Sequence, residues 1–315
     1  MSLKLHLIAF FFLTTAASVI SQNTAKLDTS YSVYSSFIKY KKKFPQIKIV
    51  KPQTFENVVV KKEIVYKEIG ERKLHLDAFY NNSEQLKPAV ILIHGGGWRS
   101  GNKSHMIPLA QSLASKGYAC FTVEYRLSLE AKFPAGIHDV KRAIQFIKAN
   151  ADNYNINTAK VAVLGSSSGG QMAALIGTTN NNPAFEEINN NYIQSSNVQA
   201  IVDLDGVLAF KHPESSEGEM AGFWLGGNST EKLETWMNAS ALTHTDKNTP
   251  PILFIGSQYP RFLAGRDDMI KILDKHGIFN QVESIENSPH TFWLFQPWFK
   301  ETELYISTFL DKIFK

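Results

Sequence analysis

The chain has 315 residues, 43% of them hydrophobic and 20% charged, with a formal net charge of +4 and a pI near 8.9. That is enough apolar material for one large core. The mild positive charge comes with no dense Lys/Arg stripe and no nucleic-acid motif, so nucleic acid is not an expected partner. One cysteine, Cys120, cannot form an internal disulfide, and no Cys/His/carboxylate spacing suits a metal.

The N-terminus "MSLKLHLIAFFFLTTAASVISQNT" has a positive Lys4, a short apolar stretch from Leu5 to Leu13 and small residues around Val19 and Ser21. It reads as a secretory signal peptide over residues 1–21, cut near Ser21–Gln22. The apolar stretch is short for a membrane span, so the mature protein is expected to be secreted or periplasmic without stable membrane insertion. Residues 22–53 follow as a leader. Its basic run "KYKKKFPQIKIVK" is expected to be a solvated approach to the first strand.

A catalytic domain is expected over residues 54–315. "VVVKKEIVYKEIGERKLHLDAFY" alternates as antiparallel strands joined near Gly70. "PAVILIHGGGW" is a continuous apolar run suited to a strand buried on both faces. A helix is expected from Met106 to Lys116, stopped by Gly117. "YACFTVEYRLS" gives another buried strand, and Ile137, Val140, Ile144 and Ile147 repeat at helical spacing. "KVAVLGSSSGGQMAALIG" reads strand, sharp turn, helix. "VQAIVDLDGV" and "PPILFIGS" are further strands, "RDDMIKILDKHG" a helix, "QVESIENSPH" a last strand, and an amphipathic helix runs from about Pro297 to Phe314. This alternation predicts an α/β class with a mostly parallel sheet and helices on both faces. Residues 210–248 interrupt the rhythm and are expected to lie as an insertion over the C-terminal edge of the sheet.

Within the turn, Gly165-Ser166-Ser167-Ser168-Gly169 fits G-x-S-x-G with Ser167 central, between a strand and a helix, as a nucleophile elbow requires. "HGGGW" after an earlier buried strand supplies glycine peptides that can aim N–H groups at an oxyanion. Gly96, Gly97 and Ser168 are the candidate oxyanion-hole donors. His290 in "NSPHTFW" follows the last strand, and the order serine, acid, histidine is that of an α/β-hydrolase triad.

These motifs, together with "YRLS" and "FPAGIHDV", resemble the secreted bacterial α/β-hydrolase esterases of the HGGGW type over nearly the whole mature chain. More narrowly, "PRFLAGRDDM" and "DLDGVLAFKHPE" resemble the carbohydrate esterases of Bacteroidetes, pectin esterases included. The resemblance implies a serine carboxylic-ester hydrolase that needs no cofactor. It also implies an acid in a loop after the penultimate strand, but "FIGSQYPRF" places Gln258 and Tyr259 there. Some lipases take the acid one strand earlier, which points to Asp205 in "VDLDG". Asp267 and Asp268, at the start of the next helix, are the alternative acids, with helix capping as their other role.

For the substrate, Trp98, Trp224, Trp236, Trp293 and Trp298 suit either sugar stacking or core packing. Arg99, Arg261 and Arg266 suit either forked pairing with a uronate or surface ion pairs. Trp98, Arg99, Arg261, Arg266 and Trp293 are the candidate substrate-binding residues. Export and the resemblance together imply an ester-bearing plant polysaccharide, with methyl or acetyl groups removed from pectin-type glycans. A small-molecule esterase, a peptidase or an arylformamide hydrolase shares the same constellation, and a non-catalytic binding protein on this fold is a further alternative.

Overall fold

The computed structural model describes residues 28–187 and 194–315, so the expected signal peptide lies outside the described residues. The basic run after it is more than a solvated approach. Its first residues end a helix, α1 (Val33–Lys41), started by a reciprocal cap in which the Ser32 and Ser35 hydroxyls accept from each other's backbone N–H. A two-residue strand, β1 (Lys48–Ile49), follows and pairs with Phe295–Gln296 near the other end of the chain. The reason is apolar burial: Phe44 and Ile47 are buried in the core, while the flanking Lys42, Lys43 and Lys48 stay exposed.

β2 (Val58–Ile69) and β3 (Arg72–Asn81) form the expected hairpin, turning at Gly70 with φ +58°. β4 (Lys87–Ile93) is buried at every position. Then come α2 (Ile107–Ser115), β5 (Ala119–Val123), α3 (Ala135–Ala149), β6 (Ile156–Ser166), α4 (Ser168–Thr178) and β7 (Ala200–Leu204). Two short helices, α5 (Glu219–Leu225) and α6 (Leu233–Asn238), occupy the stretch expected as an insertion. β8 (Ile252–Gly256), α7 (Arg266–Lys275), β9 (Asn280–Ser284), β10 (Phe295–Gln296) and α8 (Phe299–Phe314) complete the chain.

The main sheet has eight strands in the order β2-β3-β5-β4-β6-β7-β8-β9. β3 pairs antiparallel with β2 and β5, and every pairing from β5 through β9 is parallel. Side chains alternate across the central strands. Ile91, Ile93 and Val163 enter one core with Ile137, Val140 and Ile144 of α3 and with Met172 and Leu175 of α4. Val90, Leu92, Ala162 and Leu164 enter the other with Leu109 and Leu113 of α2 and with Ile306, Phe309 and Leu310 of α8. Each fully buried aliphatic side chain contributes about 1.5–3 kcal/mol. This two-faced burial makes the fold an α/β hydrolase, and no helix among the described residues is long and apolar enough to cross a membrane. Parallel strands bring the ends of β4, β6, β7 and β8 to one edge of the sheet, where ligand sites of open α/β sheets lie.

One polar cluster inside the first core matters for that edge. Asp139 of α3 is fully buried and accepts from Lys67 Nζ at 2.7 Å, from Arg126 Nε and Nη2 at 2.8 Å, and from Arg126 N at 3.0 Å. It therefore fixes the "YRLS" segment after β5. That segment holds the "HGGGW" loop: Tyr125 Oη donates to the His94 carbonyl and Ser128 N to the Trp98 carbonyl, both at 2.8 Å. Removing the carboxylate leaves Arg126 without its ion pair and Lys67 with only Glu187 at 2.8 Å, and breaking a buried pair typically costs about 3–5 kcal/mol. Asp139→Ala is expected to lower the thermal midpoint by roughly 10 °C, at about 2–4 °C per kcal/mol for a domain of this size. Calorimetry on the purified variant checks this, and an unchanged midpoint refutes it.

Candidate active site

The turn between β6 and α4 is built by close approach. A Cβ at Gly165 would lie 1.9 Å from the Gly169 carbonyl oxygen, and one at Gly169 would lie 2.3 Å from that of Ile93. With both glycines in place the chain reverses through Ser167, held at φ 54° and ψ −123°. Ser167 N donates to the Leu204 carbonyl at 2.7 Å, tying the strained residue to the end of β7. The three serines then part company. Ser166 is buried with its hydroxyl against Met106 Sδ, and Ser168 opens α4. Ser167 Oγ lies 2.8 Å from His290 Nε2.

His290 Nδ1 lies 2.8 Å from Asp205 Oδ2. Asp205 follows the last residue of β7, has φ 53°, and is fully buried. Its other carboxylate oxygen accepts from Ser257 N at 2.7 Å. The loop after β8 has no carboxylate at the usual family position, but its backbone N–H orients the acid from the neighbouring strand. Gln258, which stands in that loop, donates from Nε2 to the Ser288 carbonyl at 2.6 Å and so braces the histidine loop. Asp203, two residues before Asp205, accepts from Gly206 N at 2.8 Å. Burial, reinforced by the charge of Asp205, pushes Asp203 well above the carboxylate range.

The two alternative acids lie elsewhere. Asp267 pairs with Arg266 at 2.9 Å, and Asp268 pairs with Lys271 at 2.8 Å and His212 at 3.1 Å. Both belong to the first turn of α7, where a carboxylate meets the positive end of the helix. Neither bonds His290.

The imidazole stacks on Phe262 with ring centroids 3.5 Å apart and planes 9° from parallel, while Trp293 meets it edge-on at 5.5 Å. Burial lowers the His290 pKa below that of free imidazole. The hydrogen bond and charge of Asp205 act the other way, and the positive charges of Arg261 and Lys39 add to the lowering. The neutral, basic form of the ring is favoured.

On the facing side, Gly96 (φ +134°) and Gly97 (φ +61°) bend the loop after β4. The Gly96 carbonyl is capped by Ser100, whose N and Oγ both lie at 3.0 Å. Gly97 and Ser168 line a cavity of about 260 Å³ that also contains Ser167 and His290; Gly96 sits one residue behind its wall. Trp98, at φ 57°, lines the same cavity. Its indole N–H is spent on Gln171 Oε1 at 2.8 Å and its ring stacks on Trp224 at 4.9 Å, so it supplies a wall and not an oxyanion donor. Gln171 Nε2 in turn donates to the Ala239 carbonyl, coupling α4, the glycine loop and the segment after α6.

Of the three candidate arginines, the cavity gathers one. Arg261 lines it, exposed and without an ion pair among the described residues. Arg99 is a correction: its Nε is paired with Asp28 at 2.8 Å and its guanidinium lies over Phe223. Arg266 is also a correction, being engaged with Asp267. Trp224, Trp236 and Trp298 are buried core residues, and Trp293 is buried behind the histidine. Sequence reasoning missed Phe262, Val207, Met220 and Glu217, all of which line the cavity. The last two lie just before and at the start of the short helix α5, which is too brief for a period to assign a face. Gln171 carried a readable signal, being a polar residue inside the apolar run "MAALIG" and its preceding glycines. Among the described residues no group of His, Cys, Asp and Glu is arranged to hold a metal ion.

Comparison with known proteins agrees with this geometry. The chain is 29% identical over 241 residues to the probable carboxylic ester hydrolase LipM of Mycobacterium tuberculosis, an alignment covering 72% of this chain and 52% of LipM. It is 30% identical over 222 residues to esterase LipC of the same organism, covering 68% and 53% respectively. The chain thus spans about half the length of these relatives. Among solved structures it is similar to a truncated carbohydrate esterase from gut microbiota (TM-score 0.71, 22% identity, covering 83% of this chain and all of that one). It is also similar to a bifunctional GH43-CE protein of Bacteroides eggerthii (TM-score 0.69, 26% identity, covering 81% and 38%). The sequence profile of the BD-FAE family matches residues 76–261, more than half of the chain, and this protein belongs to that family.

Proposed function

We propose that the protein is an exported serine carboxylic-ester hydrolase that removes methyl or acetyl groups from a pectin-type plant polysaccharide. The observation that carries the reading is the hydrogen-bonded row Ser167–His290–Asp205 opening into the 260 Å³ cavity. Ser167 Oγ attacks the ester carbonyl carbon while His290 Nε2 takes its proton. The carbonyl oxygen becomes an oxyanion beside Gly97, Gly96 and the N-terminal N–H groups of α4. The C–O bond to the alcohol breaks, Nε2 returns the proton to the departing oxygen, and the acyl group stays on Ser167. Water then repeats the sequence: it attacks the acyl carbon, gives its proton to Nε2, and the serine oxygen leaves with that proton, releasing the carboxylic acid. Asp205 holds the ring and stabilises the imidazolium formed in both halves.

Carbohydrate as the substrate class is supported by two structural neighbours, a carbohydrate esterase and a bifunctional GH43-CE protein, and uronate by Arg261, an exposed cavity cation with no ion pair among the described residues. The export expected from the N-terminal segment fits an extracellular polymer.

Ser167→Ala is expected to reduce hydrolysis of acetylated and methyl-esterified galacturonides by about a millionfold in turnover, and Asp205→Asn by about ten-thousandfold, with the fold retained. Release of acetate and methanol measures both; a fully active Ser167→Ala protein refutes the reading. On a neutral aryl ester, the acid limb of kcat/KM follows deprotonation of His290 and is expected to have its midpoint below pH 6.5. Activity is then lost as pH falls through that midpoint. Arg261→Gln removes one of the cations that depress the ring, so the midpoint should move to higher pH. The same variant should lose more kcat/KM on a galacturonide ester than on the aryl ester, and an unmoved ratio argues against uronate.

A further inference from the structure

The catalytic cavity does not end at its own wall. Glu217 lines it, and the same residue lines a second, open pocket of about 370 Å³ next door. That pocket is also bounded by Lys211, His212, Ser215 and Ser229, with Phe210 and Trp236 at its base. Its volume falls in the range of small-ligand sites. Its chemistry is that of a sugar-binding surface, with hydroxyls, a carboxylate and a cation over buried aromatic rings.

Two of these side chains are only loosely engaged. Among the described residues the Glu217 carboxylate has no hydrogen-bond partner and no ion pair, although the residue is half-buried at the junction of the two pockets and the positive charge of Arg261 acts on it at longer range. Only its backbone N–H is engaged, with Ser215 Oγ at 3.3 Å. Lys211 is exposed, and its ammonium makes one long contact, to Ser229 Oγ at 3.5 Å. His212, by contrast, is held by Asp268 and Glu214. A half-desolvated carboxylate without a donor is costly unless something supplies one, and adjacent sugar hydroxyls are donors of the right reach. A free lysine beyond it is placed to meet a carboxylate on the next residue.

We infer that the pocket shared through Glu217 is a subsite for a second, uronate-bearing sugar unit of the polymer, with Glu217 accepting from hydroxyls at the junction and Lys211 pairing with the carboxylate. The inference rests on the carbohydrate-ester reading above and adds a length requirement to it. An oligosaccharide spans both pockets, whereas a single sugar fills only the one containing Ser167. Glu217 and Lys211 act on specificity and not on the bond-breaking step.

The test compares kcat/KM on acetylated galacturonate with that on acetylated trigalacturonate, with p-nitrophenyl acetate as a substrate too small to reach the second pocket. Wild type is expected to favour the trisaccharide by about tenfold or more, the worth of one charge-assisted hydrogen bond. Lys211→Ala, whose side chain is exposed, Glu217→Gln, and Ser229→Leu, which narrows the pocket, should each bring the trisaccharide-to-monosaccharide ratio most of the way to one, chiefly through KM. Calorimetric binding of unacetylated trigalacturonate to the Ser167→Ala protein and its Lys211→Ala double variant should show the same loss. A wild-type ratio near one, or a ratio unmoved in all three variants, overturns the subsite. Hydrolysis of p-nitrophenyl acetate with none of either galacturonide would instead overturn the substrate class proposed above.

Discussion

Three residues that face the cavity occupy a backbone region that L side chains avoid: Trp98 at φ 57°, Ser167 at φ 54° and Asp205 at φ 53°. Each costs about 1–3 kcal/mol, and each is held by a bond to something outside its own loop. The Ser167 N–H is taken by the end of β7, the Asp205 N–H by the Ile255 carbonyl of β8 at 3.0 Å, and the Trp98 carbonyl by Ser128. Parallel strands place these ends side by side, so one strand's strained turn is secured by its neighbour's backbone. The site is a product of the register of the sheet.

The electrostatics follow from the same crowding. Two carboxylates two residues apart on one strand cannot both be charged cheaply when both are buried. Asp203 turns inward to the Gly206 N–H and stays protonated, while Asp205 reaches the ring of His290 and the Ser257 N–H. Burial between Phe262 and Trp293 keeps His290 neutral until it takes a proton from the serine. Buried His94 and half-buried His105 are also held neutral, with pKa values lowered to about 3 and about 4 by loss of water. Because the unfolded chain would protonate both below pH 6.5, their contribution works against the fold as the medium becomes acidic.

The segment between β7 and β8 performs two tasks. Its buried tryptophans, Trp224 and Trp236, anchor it through stacking on Trp98 and through the bond from Gln171 to Ala239. With the anchor fixed, its remaining side chains are free to shape the mouth: Met220 approaches Gly97, and Glu217 stands between two pockets. An apolar anchor under a variable polar rim allows substrate choice to change without disturbing the strained turns below.

Periodicity in the chain by itself determined the sheet, its helices and their order, because strands buried on both faces read as unbroken apolar runs and α3 repeats every three to four residues. G-x-S-x-G and HGGGW were equally local, since only glycine tolerates contacts such as that between residues 165 and 169. Tertiary structure decided the rest. The sequence pointed to Asp205 with Asp267 or Asp268 as alternatives, and the adjacency of β7 and β8 decided between them, putting Asp205 beside His290 and the others in the first turn of α7. Arg99 and Arg261 were both loop arginines until one paired with Asp28 and the other lay over Phe262 at the cavity, with no ion pair among the described residues. The basic leader looked solvated because its lysines outnumber the residues that count, Phe44 and Ile47, whose burial depends on α8 from the far end of the chain. Local patterns record what a residue's neighbours in sequence require. Which charge finds a partner is set by contacts between segments dozens of residues apart, and no short window of sequence contains them.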